Sequence, residues 1–543
     1  MKLRTHFRVV VCGSGNGAQT AAGLLGSGGH DVTLYYSPKY EERAAAMRAT
    51  LAANGGAIRI TRRTGAGGQA ETTTFDGPVA GVSTDAATAL ASADIVIISV
   101  TAPAMEPLLR ELVPSLRHHQ LLLFLQGIGP VNYLQLKTAL AELADADAAA
   151  GRPHTARMPI FAAAKVLPWA CRMQAPGVVT ICGTKAHIDF AVGPGTSLLL
   201  AAMLPRLLGG LFEGTRFILS PNALEVTFFP YDVLGNDVLH PAIMYARWRE
   251  WDGQPVPERP LFYHGMTEDA AELVEAVTAE AQSVIDAMCA AMGLRSSVYV
   301  PDPRTDLAAI YSDYVGDPST LHSVLTTNAA YAGIFHPMRA AEGGGFVPDF
   351  THRLLAEDVP FGLVPVRGIA EVLGVAVPNI DTIIMWAQQR LGKEFLVGGR
   401  VAGPDVAASG APQRFGAVTP AALVITAAED DGDDELWGDD DAVGIMLPGD
   451  DDDAEPLSSS GLITRALSAV APGAAALRAA SAHLSQLFEA RPHAPAAAPA
   501  APPPRAARRG VCGATAAAAA GGGCPVARSL SRSLSTPAHV HCF

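Results

Sequence analysis

A strand-like apolar run from Phe7 to Cys12 leads directly into Gly13-Ser14-Gly15-Asn16-Gly17-Ala18. Helically spaced apolar residues follow from Gln19 to Leu25, and then the run Asp31-Val32-Thr33-Leu34-Tyr35. Strand, turn, helix and strand within about 30 residues is a βαβ unit, and few folds accommodate one. In the pattern GxGxxA the first Gly permits the tight turn and the second lets backbone approach a pyrophosphate. A small third residue allows close helix packing. Gly13, Gly15 and Ala18 hold those places. The pattern is weak by itself in a chain with 53 glycines, but here it leaves a strand and opens a helix. Gly13, Gly15, Asn16, Gly17 and Ala18 are therefore expected to seat a dinucleotide.

The alternation continues through Asp94–Val100, a helical stretch from Met105 to Leu116, and Leu121–Leu125. Uninterrupted apolar strands of this kind are buried on both faces, as in parallel sheets. Further strands are expected at Val178–Gly183 and Ile188–Val192, around a turn at Lys185. From Ala223 the texture becomes helical, with candidate helices at Thr267–Met292, Gly368–Leu373 and Ile380–Leu391. The expected architecture is thus α/β, a Rossmann domain with a mostly parallel sheet over 6–204, followed by a helical domain over 205–397. Residues 402–543, acidic and then Ala/Pro-rich, carry too little patterned apolar surface to offset ordering entropy and are expected to be a mostly disordered tail. An amphipathic helix near Ser458–Leu487 is conceivable within it.

A chain of 543 residues, 49% apolar, has the bulk of a globular enzyme. Its formal charge of -14 is local. Glu429 to Glu455 holds fourteen acidic residues, without which acids and bases balance at 39 each. No basic stripe points to nucleic acid. Seven cysteines without CxxC or Cys/His spacing argue against a disulfide framework and against a zinc site, so no metal is expected. The apolar stretch Ser197–Phe212 is broken by Pro205 and Arg206 and falls short of the roughly 20 residues of a membrane span. With Met1-Lys2-Leu3-Arg4 passing straight into the first strand, the expectation is a cytoplasmic protein, off the membrane.

At the end of the second strand, an acid suits the ribose 2′-OH of NAD, whereas Ser, Lys or Arg suits the 2′-phosphate of NADP. Tyr36-Ser37-Pro38-Lys39, with Arg43 beyond, offers no acid. Ser37 is accordingly a candidate cofactor contact, and NADP is favoured while NAD stays open.

Gly235-Asn236-Asp237-Val238-Leu239-His240-Pro241 puts a histidine near the start of a helix, with Pro expected at an early position where its missing N–H is not needed. Far downstream, Arg353-Leu354-Leu355-Ala356-Glu357-Asp358 ends a helix before Val359-Pro360. A reductase of a carbonyl or imine needs a proton donor beside the hydride acceptor. Histidine suits this, since its ordinary pKa of about 6.5 lies near working pH, and a carboxylate behind it fixes the tautomer.

These segments also resemble a known family. GSGNGA, Leu167-Pro168-Trp169-Ala170-Cys171-Arg172, Gly183-Thr184-Lys185, NDVLHP, Leu261-Phe262-Tyr263 and RLLAEDVPFGLVPV, in this order, look like the octopine/nopaline (opine) dehydrogenase family over residues 6 to 397. The resemblance implies a Rossmann domain joined to an all-α domain of the 6-phosphogluconate dehydrogenase C-terminal-like type, with substrates in the cleft between. It implies NAD(P)H-dependent, reversible reductive condensation of a 2-oxo acid, such as pyruvate, with the amino group of an amino acid. His240 matches the family's catalytic histidine and Asp358 its partner. Arg353 matches an arginine near the cleft, a candidate for bidentate contact with a substrate carboxylate. Asn236, one turn before His240, is a further substrate-orienting candidate, and Trp248 and Trp251 are candidates to line the amino-acid pocket. Lys165, Arg172 and Lys185 are candidate anion contacts. Family members more often carry an acid at the second strand's tip, which Tyr36-Ser37 lacks.

Two rival readings stay open. One is a reductase of a simple 2-oxo acid or ketone, of the ketopantoate reductase or glycerol-3-phosphate dehydrogenase type, needing no amino acid. The other is a non-catalytic NAD(P)-binding protein. A monomer and a homodimer are equally compatible with the sequence.

Overall fold

The computed structural model describes residues 6–65, 71–125, 129–193, 196–219, 226–227, 236–292 and 303–425. The N-terminal part is built on β1 (Arg8–Cys12), α1 (Asn16–Ser27), β2 (Asp31–Tyr35), α2 (Glu41–Ala53), β3 (Ala57–Thr64), β4 (Glu71–Pro78), β5 (Gly81–Ser83), α3 (Ala86–Leu90), β6 (Ile95–Ile98) and α4 (Ala102–Leu112). It continues through β7 (Leu121–Phe124), α5 (Gly129–Ala149), β8 (Ile160–Ala164), β9 (Trp169–Ala175), β10 (Val178–Thr184), β11 (His187–Val192), α6 (Leu198–Leu211) and β12 (Arg216–Leu219). Eight of these strands form one sheet in the order β12-β11-β8-β7-β6-β1-β2-β5, parallel except where β11 meets β8. This is the mostly parallel Rossmann sheet. All four residues of β6 and of β7 are buried, as strands covered on both faces should be.

The register sets the cleft. Cys12 at the end of β1 lies level with Tyr35 of β2 on one side and with Ile98 of β6 on the other. The chain leaves β1 in opposite directions toward these neighbours, so the segments after all three strands open onto one crevice at the switch point.

Two expected boundaries shift. The first domain does not end at 204, because β12 pairs in parallel with β11 and extends the same sheet. Leu200, Leu204, Leu207, Leu208 and Leu211 of α6 find their cover in the core of that sheet, and the strand behind them satisfies its backbone on the sheet edge. A second sheet, β4-β3-β10-β9, lies outside anything expected for residues 57–78. There Ile58 and Ile60 alternate with polar residues and face inward into the core that α1 shares.

The rest is helical: α7 (Asn236–Trp248), α8 (Glu268–Met292), α9 (Pro303–Ile310), α10 (Leu321–Thr327), α11 (Arg353–Ala356), α12 (Val364–Leu373) and α13 (Pro378–Leu391). Along α8, Val274, Val277, Ala281, Val284, Ile285 and Met288 are fully buried, a stripe at helical spacing that makes this helix the centre of the second core. Glu280 accepts the backbone N–H groups of Asn379 and Ile380 and so caps α13 where an anion suits the helix dipole. Short two-stranded ribbons, Met338–Ala340 with Phe346–Pro348 and Leu396–Val397 with Arg400–Val401, interrupt the helices.

The tail does not begin at 402. Val406, Ala411, Ala417 and Leu423 are buried in the helical core, and the Gly410 N–H donates to the Pro360 carbonyl. Composition misleads here, since a few small apolar residues suffice when an existing surface receives them. The remainder of the expected tail, with its acidic run and candidate helix, lies outside the described residues. Among the described residues no helix is long and apolar enough to cross a membrane.

Candidate active site

The cleft between the sheet and the helical part has a volume of about 480 Å³. Its floor is the turn after β1. Gly13 has φ of +133°, and a Cβ there would stand 2.3 Å from the Ser99 carbonyl oxygen, so only glycine fits. Its N–H donates to the Tyr35 carbonyl. A Cβ on Gly15, by contrast, would meet no atom within 4 Å, and no side chain caps α1. Open space in front of uncapped helix-start amides is what a pyrophosphate requires. Gly13, Ser14, Gly15, Asn16 and Gly17 line the cleft, and the residues fit the dinucleotide.

One expectation for this turn needs correcting. Ala18 is fully buried and does not line the cleft; its methyl stands 3.2 Å from where a Gly13 Cβ would be, so it packs the turn rather than touching a ligand. Asn16 lines the cleft, and its Oδ1 accepts the Met173 N–H. Ser37 also lines the cleft, and its Oγ donates to Glu111 Oε1 at 2.7 Å.

His240 stands on α7, 2% exposed. Pro241 falls inside the helix, not at its start, and removes the backbone bond that would reach residue 237. Asp358 follows the single turn of α11 and leads into a π-helical turn over Val359–Leu363, an irregularity often found at functional sites. Across 118 residues of sequence, His240 Nδ1 lies 2.8 Å from Asp358 Oδ2. His240 Nε2 lies 2.7 Å from the Tyr263 hydroxyl. With Asp358 ionised, Nδ1–H donates to it and Nε2 accepts from Tyr263. Burial pushes the Tyr263 phenol above its ordinary value, which keeps it a donor. Tyr263 is stacked on Tyr331 at 4.2 Å and is held in place. His240, Tyr263, Tyr331 and Asp358 all line the cleft.

Arg353 and Glu357 line it as well. Glu357 Oε1 accepts the Ala102 N–H at the start of α4, tying the helical part to the Rossmann part. Glu357 Oε2 and Arg353 Nε are 3.7 Å apart, both buried and without a hydrogen-bond partner. Burial raises the Glu357 carboxyl above the usual carboxylate range. His352, which accepts the Leu354 N–H, is pushed down to about 4 by burial and then by Arg353. Lys165, Arg172 and Lys185 line the cleft too, with Lys165 Nζ 3.8 Å from Asp306 and Lys185 Nζ donating to the Leu167 carbonyl.

Trp248 does not line the pocket. It is 2% exposed in the helical core, and its Nε1–H donates to His336 Nδ1. Its large apolar ring gains more from burial on α7's inner face than from a wet cleft. Trp251 donates to the Gln254 carbonyl and packs on Phe350 outside the cleft. Asn236 is the first residue of α7, but its side chain lies outside the described residues. Tyr263 and Glu111 were not anticipated as site residues. Tyr263 lies in the family-like segment Leu261-Phe262-Tyr263, which could have marked it, whereas no local signal marks Glu111, which meets Ser37 only through the fold. Among the described residues no group of His, Cys, Asp and Glu is placed to hold a metal.

Residues 220–391 match the family described as NAD/NADP octopine/nopaline dehydrogenase, alpha-helical domain. Octopine dehydrogenase of Pecten maximus is 32% identical over 412 residues, 75% of this chain and 96% of its own. The chain belongs to the octopine/nopaline (opine) dehydrogenase family. Residues 8–123 match a second family, described as NADP oxidoreductase, coenzyme F420-dependent. The structure of an octopine dehydrogenase in complex with NADH and agmatine superposes with a TM-score of 0.63 at 31% identity, over 77% of this chain and 98% of that one. One in complex with NADH and pyruvate gives 0.59 at 31% identity, over 77% and 96%. This opine dehydrogenase is thus an NAD(P)-dependent oxidoreductase acting on CH–NH donors, condensing a 2-oxo acid reductively with the amino group of an amino acid.

Proposed function

We propose that His240 is the acid–base group of this opine dehydrogenase, oriented by Asp358 and paired with Tyr263, and that pyruvate is its 2-oxo acid. The observation that carries this is the buried histidine bonded at both ring nitrogens inside the cleft that the glycine turn floors. The pyruvate complex of the 31% identical octopine dehydrogenase supports the choice of oxo acid. The backbone of Gly13–Gly17 would hold the pyrophosphate, and the bound reduced nicotinamide supplies a hydride.

The chain's own residues manage protons and charge. Asp358 holds Nδ1–H, so proton exchange with substrate takes place at Nε2, which Tyr263 supplies with a neutral donor. Through the Tyr263 hydroxyl, Nε2 takes up the proton released when the amine adds to the oxo carbon and returns it to the carbinolamine hydroxyl, which leaves as water; the resulting imine is polarised for reduction. Arg353, which lines the cleft beside Glu357, binds a substrate carboxylate through its guanidinium. Glu357 docked on α4 closes the cleft from the side and limits water. The enzyme is proposed to act in the cytoplasm on small molecules alone, as a monomer or homodimer.

The test is His240→Ala. Turnover with pyruvate and an amino acid should fall about 10²–10⁴-fold, the usual contribution of a positioned acid–base group, with NAD(P)H binding intact. Near-normal turnover would remove His240 from this role. A grid of amino acids would be run first, and oxidation of cofactor with pyruvate alone would favour a simple 2-oxo acid reductase.

A further inference from the structure

The tip of β2 carries no acid, yet an acid is there in space. Glu111, near the end of α4, is 74 residues from Ser37 in sequence, and its Oε1 accepts the Ser37 hydroxyl at 2.7 Å. Its Oε2 lies 3.5 Å from the Tyr35 hydroxyl, so the last residue of β2 and the second residue beyond it both converge on one carboxylate. Ser37 is 8% exposed, and Glu111, Tyr35, Tyr36 and Ser37 all line the cleft. In a doubly wound dinucleotide site this corner, beside the end of the second strand, receives the adenosine ribose.

We propose that Glu111, positioned by Ser37, replaces the missing strand-tip acid and makes this enzyme select NAD over NADP. A carboxylate accepts a hydrogen bond from a ribose 2′-hydroxyl. A 2′-phosphate, itself carrying roughly -1.5 to -2 charges near neutral pH, would set like charges against each other in the same corner. Lys39 and Arg43 line the cleft as well, but both are exposed and stand over the exposed Tyr40 ring, at 5.0 and 5.2 Å. Water and salt screen them, whereas the part-buried Ser37–Glu111 pair is screened less. The preference is therefore the reverse of what Ser37, Lys39 and Arg43 suggest in the linear sequence.

The proposal rests on the dinucleotide site alone and not on the role of His240, and its test reads binding rather than turnover. The full chain is titrated with NADH and NADPH by nicotinamide fluorescence, without oxo acid or amino acid. The unaltered protein should bind NADH at least about tenfold more tightly, the scale of one charge-assisted hydrogen bond. Glu111→Gln keeps the shape and removes the charge, and should cut that preference about tenfold, mainly by tightening NADPH. Ser37→Ala, which frees the carboxylate to move, should erode the preference part-way. If Glu111→Gln does not fold, the unaltered protein and Ser37→Ala decide. Equal or tighter binding of NADPH by the unaltered protein overturns the proposal, as does an unchanged NADH:NADPH ratio in the variants that fold.

Discussion

Replacing Asp358 with Asn separates what the carboxylate's charge does from what its shape does. Asn keeps an oxygen for the Nδ1–H of His240 and preserves volume, but it cannot stabilise a protonated imidazole. The pair is 2.8 Å apart, with side-chain exposures of 2% and 8%. A hydrogen bond to an ionised partner contributes roughly 1.5–3 kcal/mol, against about 1 for a neutral one, so the charge is worth about 0.5–2 kcal/mol. At about 1.4 kcal/mol per factor of ten, that is about 2- to 30-fold in the charged form of the ring. Burial places this pair at the upper end, so kcat for pyruvate plus the preferred amino acid should fall about 30-fold. NADH affinity, read by fluorescence titration, should not move. Because the two residues act as a unit, Asp358→Asn in a His240→Ala background should cost little more than His240→Ala alone. The reasoning is refuted if kcat of Asp358→Asn stays within about twofold of the unaltered enzyme, or if the double variant shows the full product of both losses.

Gly13→Ala should lose cofactor binding and about 2 kcal/mol or more of stability in urea unfolding, because its Cβ meets the Ser99 carbonyl at 2.3 Å and φ is +133°; an unchanged unfolding midpoint would contradict this. Glu357 has a folded-state pKa raised above its ordinary 4.5, so the folded protein holds this proton more tightly and loses stability as pH rises from about 4.5 through the raised value. Glu357→Gln removes that loss, and its Tm advantage over the unaltered protein should be larger at pH 7 than near pH 4; a constant difference would show that the carboxyl does not titrate as described. Trp248→Phe leaves His336 Nδ1 without its buried donor and should cost about 1–3 kcal/mol of stability with no change in KM for the amino acid. A raised KM at unchanged stability would return Trp248 to the substrate pocket.

Much of the first half was legible because its signals are local. The turn after β1 needs glycine at a positive φ, and buried parallel strands need unbroken apolar runs, so both are written within a few residues of where they act. The second half was read less well. Trp248 sits beside functional residues in sequence and faces the core, since neighbours on a helix point in different directions. β3 and β4 went unforeseen because alternation interrupted by arginines and threonines resembles a solvated loop until α1 and β10 cover one face. Residues 402–425 look too sparse to fold, and they are ordered by a surface that is already there.

From the sequence by itself came a dinucleotide-binding Rossmann turn, a helical second half, the family, and the pair His240 and Asp358. Tertiary structure alone decided that this histidine is bonded on both nitrogens, by Asp358 from 118 residues away and by Tyr263 from 23. It also brought Glu111 of α4 to Ser37, two residues beyond the end of β2. The difference is one of range. Backbone conformation and burial periodicity are set by neighbouring residues and can be read along the chain, whereas hydrogen-bond partners and local charge are set by distance in space, which only the folded chain defines.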